Sequence, residues 1–253
     1  MFKFFRKIRQ SLIMENKTSK YFKYAIGEII LVVIGILIAL QINTWKEEYQ
    51  QKREAITILN NLKFDLKEDL LDIDNRILWL QDKKDKSRFL LDLLQNADNL
   101  EAIDSGYVVK SLLRAAFITK FVPSFAAYNE IQNTGKLGLI KSGKLKNMLA
   151  SYKSQTGENM HVETPYESTL KIFERKAISY LSDVPVNVNV SANIPEQLRT
   201  LKFNLSDMAT DKELMNLLKH INYHTGVEIT LKTNLLRPQI KQLLNLIDQE
   251  LKQ

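Results

Sequence analysis

The feature that most constrains this chain is an uncharged apolar run near its N-terminus. Residues 29–45 read IILVVIGILIALQINTW. With the residues just before them they form a stretch of about 22, and a helix needs roughly 20 residues to cross the hydrocarbon core of a bilayer. A buried helix of a soluble protein is rarely this apolar on every side. The run therefore predicts a transmembrane helix over residues 21–45.

A cleavable signal peptide would also place an apolar run near the N-terminus. Its apolar region is shorter, and it ends at small residues before the cleavage site. Here the run ends in ALQINTW, which contains no such site. We therefore expect an uncleaved signal anchor, which makes the chain a single-pass membrane protein.

The net charge of +7 is concentrated at the N-terminus. Residues 1–24 carry seven basic side chains and one acidic side chain, while the rest of the chain is almost balanced. A basic segment beside an apolar one is typical of contact with anionic lipid headgroups, not of a nucleic-acid-binding face. The residues predicted to contact headgroups are Lys3, Arg6, Lys7, Arg9, Lys17, Lys20 and Lys23.

This charge asymmetry also predicts an orientation. The flank richer in Lys and Arg stays in the cytoplasm, which places the N-terminus inside and residues 46–253 outside, in the periplasm if the membrane is a bacterial inner membrane. Residues 1–20 have apolar side chains on one helical face and basic ones on the other. We interpret them as an amphipathic cytoplasmic tail lying among the headgroups, with a disordered basic tail as the alternative.

Three residues of the predicted membrane helix share a face. Gly35 and Ala39 follow Glu28 by about two and three helical turns. Gly35 and Ala39 have the small-x-x-x-small spacing that allows close helix approach, and a carboxylate in such a helix usually finds a partner. This face is predicted to pack against a helix from a second copy or a partner protein. Alternatively, Glu28 reaches the interface and Gly35 plays no packing role.

The residues after the membrane segment predict an all-α fold. No Gly or Pro occurs between Gly35 and Gly106, so the membrane helix is expected to continue into a long helix. Apolar residues then recur with mostly heptad, coiled-coil spacing. This seam lapses through residues 82–88, where the helix either turns or runs on with a solvated patch. The seam members are Ala55, Leu59, Leu62, Leu66, Leu70, Ile73, Ile77 and Leu80, followed by Leu91 and Leu94.

Shorter helices are expected to complete an antiparallel bundle. Capping residues and prolines predict helix starts near Asp104, Pro123, Ser142, Pro165 and Asp211. The last stretch has Gly226 and Pro238 as points where it could divide or kink. Residues 183–195 alternate Val with polar residues, and because no partner strand is evident we interpret them as an extended loop.

Two segments carry a resemblance to a known family. The first is FFRKIRQ with YAIGEIILVVIGILIALQIN, at residues 4–10 and 24–43. The second is YNEIQNTGKLGLIKSGKLKNMLASY, supported by LLNLIDQEL near the C-terminus. The chain resembles an uncharacterised bacterial family of single-pass inner-membrane proteins. The resemblance implies this topology and a helical extracytoplasmic domain, and it assigns no activity, ligand or site residue.

No catalytic constellation is evident. The chain has no cysteine. His220 and His224 are four residues apart, as on one face of a metal-binding helix, but Ile221 stands where a zinc hydrolase of the HExxH type has Glu. We therefore predict no metal, cofactor or catalytic residue, and regard the two histidines as weak metal candidates. An acidic stretch, from Asp65 to Asp74, is interpreted as a solvated helix face.

Two functions fit this sequence. One is a membrane-anchored interaction or scaffold subunit, whose partners are the lipid bilayer and a protein bound through the membrane helix. The alternative is a ligand-binding or sensory module. The predicted cytoplasmic part is too short to hold an output domain, so a sensor would signal through a partner protein.

Overall fold

A computed structural model of the chain describes residues 18–96, 104–118, 120–156, 163–181 and 203–252. Within these ranges the regular structure is helical, apart from an isolated antiparallel bridge between Leu181 and Phe203. The predicted all-α fold with a long N-terminal helix is confirmed. The predicted loop at 183–195 lies outside the described residues.

Eight α-helices follow one another along the described residues. A 3-10 turn, Lys136–Leu139, lies between Asn133 and Gly143, and a π-helical segment, Lys232–Leu236, joins the last two helices. The α-helices are α1 (Thr18–Gln95), α2 (Ser105–Ala116), α3 (Ala126–Asn133), α4 (Gly143–Thr156), α5 (Glu163–Ser179), α6 (Leu205–Thr210), α7 (Lys212–Leu231) and α8 (Arg237–Glu250).

The first helix runs without interruption for 78 residues. This confirms the prediction that the apolar segment continues into a long helix, since no helix-breaking residue intervenes. Among the described residues it is the one helix long and apolar enough to cross a membrane, and none of its most apolar stretch is buried. The boundary between the two compact units of the chain falls within it, between Thr57 and Ile58.

Side-chain caps fix where the shorter helices begin. The Asp104 carboxylate accepts a hydrogen bond from the Gly106 N–H at 2.9 Å, and the Ser142 hydroxyl accepts one from the Leu145 N–H at 3.1 Å. Asp211 caps α7 through the N–H groups of Glu213 and Leu214. Each cap satisfies backbone donors that have no partner within the helix, and all three agree with the predicted starts.

The buried seam of α1 continues through the polar stretch where it was predicted to lapse. Its fully buried members keep the alternating three- and four-residue steps of a heptad, with Lys83 and Ser87 at seam positions and Leu90 in place of the predicted Leu91. The prediction that the seam is interrupted at residues 82–88 is therefore wrong. The buried seam residues are Leu59, Leu62, Leu66, Asp69, Ile73, Leu80, Lys83, Ser87, Leu90 and Leu94.

The C-terminal helices pack antiparallel to α1. The Lys63 ammonium lies 2.5 Å from Asp248, and the Arg237 guanidinium donates to Asp74 at 2.6 Å. Further along α1, the Asn222 amide donates to the Lys84 carbonyl at 3.2 Å. As the position along α1 rises, the partner's position falls, so the first and last helices bracket the bundle as predicted.

Two apolar clusters fill the bundle at successive levels. One joins the α1 seam up to Ile73 with α3, α4 and α8, and the other joins Leu90 and Leu94 with α2, α5, α6 and the first half of α7. Between these levels α1 contributes residues 82–88 and α7 contributes residues 222–231. We call this level, which contains buried Lys83, Ser87 and Thr225, the polar layer.

The π-helical segment marks where α7 becomes α8. Gly226 does not divide the helix. Proline lacks an N–H, and its ring clashes with the carbonyl four residues earlier. The wider π turn before Pro238, closed by the Arg237 N–H on the Lys232 carbonyl, accommodates this ring within a continuous helix.

Candidate functional site

The three residues of the predicted membrane face all lie in α1. Because this helix is uninterrupted, Glu28, Gly35 and Ala39 fall within about 40° of one another around its axis. Gly35 and Ala39 are exposed, and a Cβ added to Gly35 would meet no atom within 4 Å. The predicted close approach of another helix is therefore not obstructed at Gly35, and it stays a prediction.

The predicted headgroup contacts fall largely beyond what the structure describes. Lys23 lies in α1 with an exposed side chain. The side chain of Lys20 lies outside the described part, as do Lys3, Arg6, Lys7, Arg9 and Lys17 and the amphipathic tail predicted for residues 1–20.

The two candidate metal-binding histidines do lie together. The ring centroids of His220 and His224 are 4.2 Å apart, and Tyr166 stacks on His224 at 4.9 Å. Burial and the neighbouring His224 hold the pKa of His220 below its usual value. Within the described ranges no group of three His, Cys, Asp or Glu side chains could hold a metal ion, and His161 lies outside those ranges. The structure thus brings together two side chains of a type that binds metals, and their rings pack with the ring of Tyr166.

The prediction that the acidic stretch of α1 forms a solvated face is wrong at Asp69. Asp69 is only 3% exposed. Its carboxylate accepts hydrogen bonds from the Tyr152 hydroxyl and from the Ser124 N–H, each at 2.8 Å. Burial raises the pKa of Asp69 to about 6, although both hydrogen bonds oppose this shift. A carboxylate thus lies inside the first apolar cluster, held by groups from two other segments.

Asp65, one turn earlier, holds the beginning of α3. Its carboxylate accepts a hydrogen bond from the Ala127 N–H at 3.0 Å. Asp65 and Asp69 together satisfy donors at a helix start where Phe125 supplies no side-chain cap. A cavity of about 10 Å³ lies beside these groups, between Asp65, Ser124 and Tyr152, which is room for about one water molecule. The role of these carboxylates is to hold the start of α3 against α1.

Two buried lysines, Lys83 in the polar layer and Lys232 next to it, lie near the Glu228 carboxylate. The Lys83 ammonium donates to the Phe117 carbonyl at 2.8 Å and lies 5.4 Å from the centre of the Tyr166 ring. Burial lowers the pKa of Lys83 to about 8, and the opposing charge of Glu228 is too weak to prevent this. Lys232, in the π-helical segment, lies 3.6 Å from Glu228. Two buried cations thus face one carboxylate.

A second group of charges borders this layer near α2. The Asp82 carboxylate contacts the Lys86 ammonium and lies 2.5 Å from the Arg114 guanidinium. Burial alone would raise the pKa of Asp82, but the hydrogen bonds and charges of the two cations outweigh it and lower that pKa. The Arg114 guanidinium also lies 3.8 Å from the centre of the Trp79 ring. Both cations of this cluster are thus paired with the same carboxylate.

On the outside of the polar layer an open groove of about 460 Å³ runs between α1 and α7. We call it the α1–α7 groove. Its α1 wall carries Lys84 and Arg88, and its α7 wall carries an exposed row of Tyr223, Val227 and Leu231, each one turn from the next. The full lining is Lys84, Arg88, Asn222, Tyr223, Gly226, Val227, Thr230 and Leu231.

Gly226 shapes the floor of this groove. A Cβ at this position would lie 3.2 Å from the Lys84 ammonium nitrogen. Glycine within a helix costs roughly 1 kcal/mol relative to alanine, and here it lets the lysine side chain lie against the α7 backbone. The Asn222 amide, bonded to the Lys84 carbonyl and to the Ser87 hydroxyl at 3.1 Å, holds α1 and α7 in register there.

Sequence reasoning missed the groove. It treated residues 82–88 as an interruption of the seam and Gly226 as a possible break. Two signals were present: an interior helix glycine, and Tyr223, Val227 and Leu231 at four-residue spacing. Neither signal identifies the opposing wall on α1, which only the fold supplies.

Comparison with known proteins identifies one family. The model of the Family of unknown function (DUF6090) matches residues 28–225, which is more than three quarters of the chain. This agrees with the expected resemblance to a family of unknown activity, while the expected bacterial origin and membrane topology stay predictions. No curated protein and no solved structure matches the chain significantly.

Proposed function

Since the chain belongs to the Family of unknown function (DUF6090), we propose its role from its own residues: it is a membrane-anchored helical subunit that holds an interaction domain beside a bilayer. One observation carries this proposal. The most apolar stretch of α1 is wholly unburied, whereas the later seam of α1 and the inner faces of the shorter helices pack into two clusters. Lipid is the environment that such a stretch fits.

The proposed location is a bacterial inner membrane, crossed once. Support comes from the excess of basic side chains on the N-terminal flank, which favours a cytoplasmic N-terminus. The bundle would then lie in the periplasm. An uncleaved anchor is consistent with α1 continuing from the apolar stretch into the bundle as one helix.

The proposed protein contact within the membrane uses the face of Glu28, Gly35 and Ala39. A surface without side-chain bulk at Gly35 allows van der Waals contact between helix backbones, which stabilises association where lipid gives little hydrophobic drive. The partner would be a second copy of the chain or another membrane protein.

The cavities lined by described residues favour docking over ligand enclosure. The enclosed cavity beside Asp65 has room for about one water molecule. The α1–α7 groove, of about 460 Å³, and a space of about 430 Å³ beside His220 are both open to solvent. Ligand pockets usually enclose most of the ligand surface. We therefore prefer the interaction subunit to the ligand-binding sensor.

Labelling of single cysteines tests the anchor and its orientation. The chain has no cysteine, so Ser11→Cys and Ser151→Cys each create one reactive site. With the outer membrane permeabilised, a membrane-impermeant maleimide should label Ser151→Cys in whole cells and Ser11→Cys only after detergent lysis. Labelling in the reverse pattern would contradict the orientation, and release of the protein by alkaline carbonate would contradict the anchor.

A native gel of the solubilised full chain tests the interaction role. We expect a stable complex larger than the monomer in mild detergent. Migration as a monomer after gentle solubilisation or after cross-linking in the membrane would contradict this role.

A further inference from the structure

We propose that the α1–α7 groove binds an acidic amphipathic helix of a partner protein. This inference rests on the proposed role as an interaction subunit and specifies where and with what chemistry the bundle docks. It is argued from the position of two basic side chains, Lys84 and Arg88, opposite an exposed apolar row on α7.

The charge of the groove is uncompensated. Lys84 and Arg88 lie one turn apart on the same face of α1, where like charges repel each other. Within the described ranges neither side chain forms an ion pair, and the groove lining contains no Asp or Glu. Other cations at this level, such as Lys86 and Arg114, are paired with Asp82. A carboxylate-bearing partner would pair with these two cations, which have no acidic neighbour in the groove lining.

The apolar wall has the dimensions of a helix contact. The row from Tyr223 to Leu231 spans eight residue steps, or about 12 Å along α7. Tyr223 is 68% exposed, and an aromatic ring this exposed beside two aliphatic side chains is an anchor of the kind that interfaces use. An amphipathic helix lying in a groove contacts such a row with apolar residues three and four apart.

The shape of the groove favours a helix over a small anion. The groove is open along its length and lies between two nearly antiparallel helices, so a small ligand would keep most of its surface in water. A third helix lying along the groove would bury its own apolar face while two acidic residues, one turn apart, meet Lys84 and Arg88. The expected segment therefore has two acidic residues at i and i+4 beside an apolar stripe.

Site-specific photo-cross-linking in the full chain, in the membranes of its native host, tests the proposal. One variant carries p-benzoylphenylalanine in place of Tyr223. The matched control carries it in place of Phe64, an aromatic residue of α1 that is 64% exposed and lies outside the groove. Mass spectrometry of the adducts identifies the segment that is joined to each position.

A charge-reversed variant supplies the specificity test. Lys84→Glu with Arg88→Glu should reduce the adduct at position 223 at least tenfold. The control reversal is Lys171→Glu with Arg175→Glu, an exposed basic pair with the same spacing on α5, and it should leave the adduct unchanged. Circular dichroism melting of both variants establishes that each is folded. Replacing the two acidic residues of the captured segment by Lys should restore the adduct with the charge-reversed groove.

The outcomes divide as follows. The proposal is supported by an acidic, amphipathic segment of another protein at position 223, with loss on reversal and restoration by the complementary swap. It is overturned by an adduct with lipid, with a second copy of this chain or with a segment lacking acidic residues, or by no adduct above that at position 64. If the native-gel complex forms but position 223 gives no adduct above that at position 64, the groove proposal fails while the interaction role stands.

Discussion

Asp69 illustrates how one buried residue sets a pH dependence. Its carboxyl lies within the first apolar cluster, and burial raises its pKa to about 6 from a usual value of 3.8. The folded state therefore binds this proton more tightly than the unfolded state does. The contribution of Asp69 to the free energy of unfolding is largest below about pH 4, falls as the pH rises towards 6, and stays reduced above pH 6.

We expect Asp69→Asn to remove this dependence. Asparagine keeps an oxygen that can accept from the Ser124 N–H, and it cannot ionise. The free energy of unfolding at pH 7.5 should rise relative to the natural chain by up to about 3 kcal/mol, at 1.36 kcal/mol per pKa unit. Urea unfolding followed by circular dichroism at several pH values measures this. The difference between the two chains should shrink towards pH 4, and a difference independent of pH would contradict the assignment.

Gly226→Ala probes the floor of the α1–α7 groove. Alanine stabilises a helix interior by up to about 1 kcal/mol relative to glycine. The nearest atom to the new Cβ is the Lys84 ammonium nitrogen, which is the end of a flexible side chain and can move. We expect a higher free energy of unfolding, with Lys84 displaced from the groove floor.

A double-mutant cycle with Lys84→Met separates these two effects. With the lysine removed, the gain from Gly226→Ala should be larger, because no cation then has to move. A loss of stability on Gly226→Ala alone would mean that Lys84 is held more rigidly than its contacts indicate. Equal gains in both backgrounds would show that the lysine does not touch this position in solution.

Among the helices, α1 organises the bundle through its seam. Its heptad spacing continues through Lys83 and Ser87. The seam residues are polar there, but the buried positions keep the same spacing. Asn222 bonds both the Lys84 carbonyl and the Ser87 hydroxyl, which fixes the register of α7 against α1 at this level. Polar groups buried in a helical interface can specify register in this way.

The register of the seam can be tested with two adjacent leucines. Leu90 is fully buried in the second cluster, while Leu91 is only partly buried. Leu90→Ala should lower the free energy of unfolding by about 2–5 kcal/mol, since it removes buried methyl groups and leaves a cavity. Leu91→Ala should cost less than half as much. Chemical denaturation of the full chain in detergent compares the two variants. A larger loss for Leu91→Ala would support the register predicted from sequence, in which Leu91 lies in the seam.

For the molecule as a whole, the membrane segment is the proposed site of assembly. Neither Gly27 nor Gly35 has an atom within 4 Å of an added Cβ, so a larger side chain fits either position within one chain. The two glycines lie on different faces of α1, and only Gly35 shares its face with Glu28. A change at Gly35 should therefore be felt through a neighbouring helix, not through the chain itself.

We expect Gly35→Leu to reduce the mass of the detergent-solubilised complex and Gly27→Leu to leave it unchanged. The leucine at position 35 would separate helix backbones that glycine lets approach. Light scattering coupled to size-exclusion chromatography measures the mass. An unchanged mass for Gly35→Leu would contradict packing on this face, and equal losses for both variants would point to a general effect of leucine.

Local sequence was sufficient to predict the features that depend on neighbouring residues. The continuation of the apolar segment into a long helix, the caps at Asp104, Ser142 and Asp211, and the all-α class follow from spacing and capping chemistry within a few residues. The apolar stretch and the charge asymmetry that motivate the membrane proposal are also properties of short segments. Such features need no knowledge of what packs against them.

The tertiary structure decided which polar residues are buried and where a groove forms. Asp69 meets Tyr152 across 83 residues, and Lys84 meets Asn222 across 138. Burial, and the pKa shifts that it causes, depend on these distant partners. Sequence spacing alone therefore predicted a solvated Asp69 and an interrupted seam over residues 82–88. The same polar stretch became a buried layer because α7 supplied the groups that complete it.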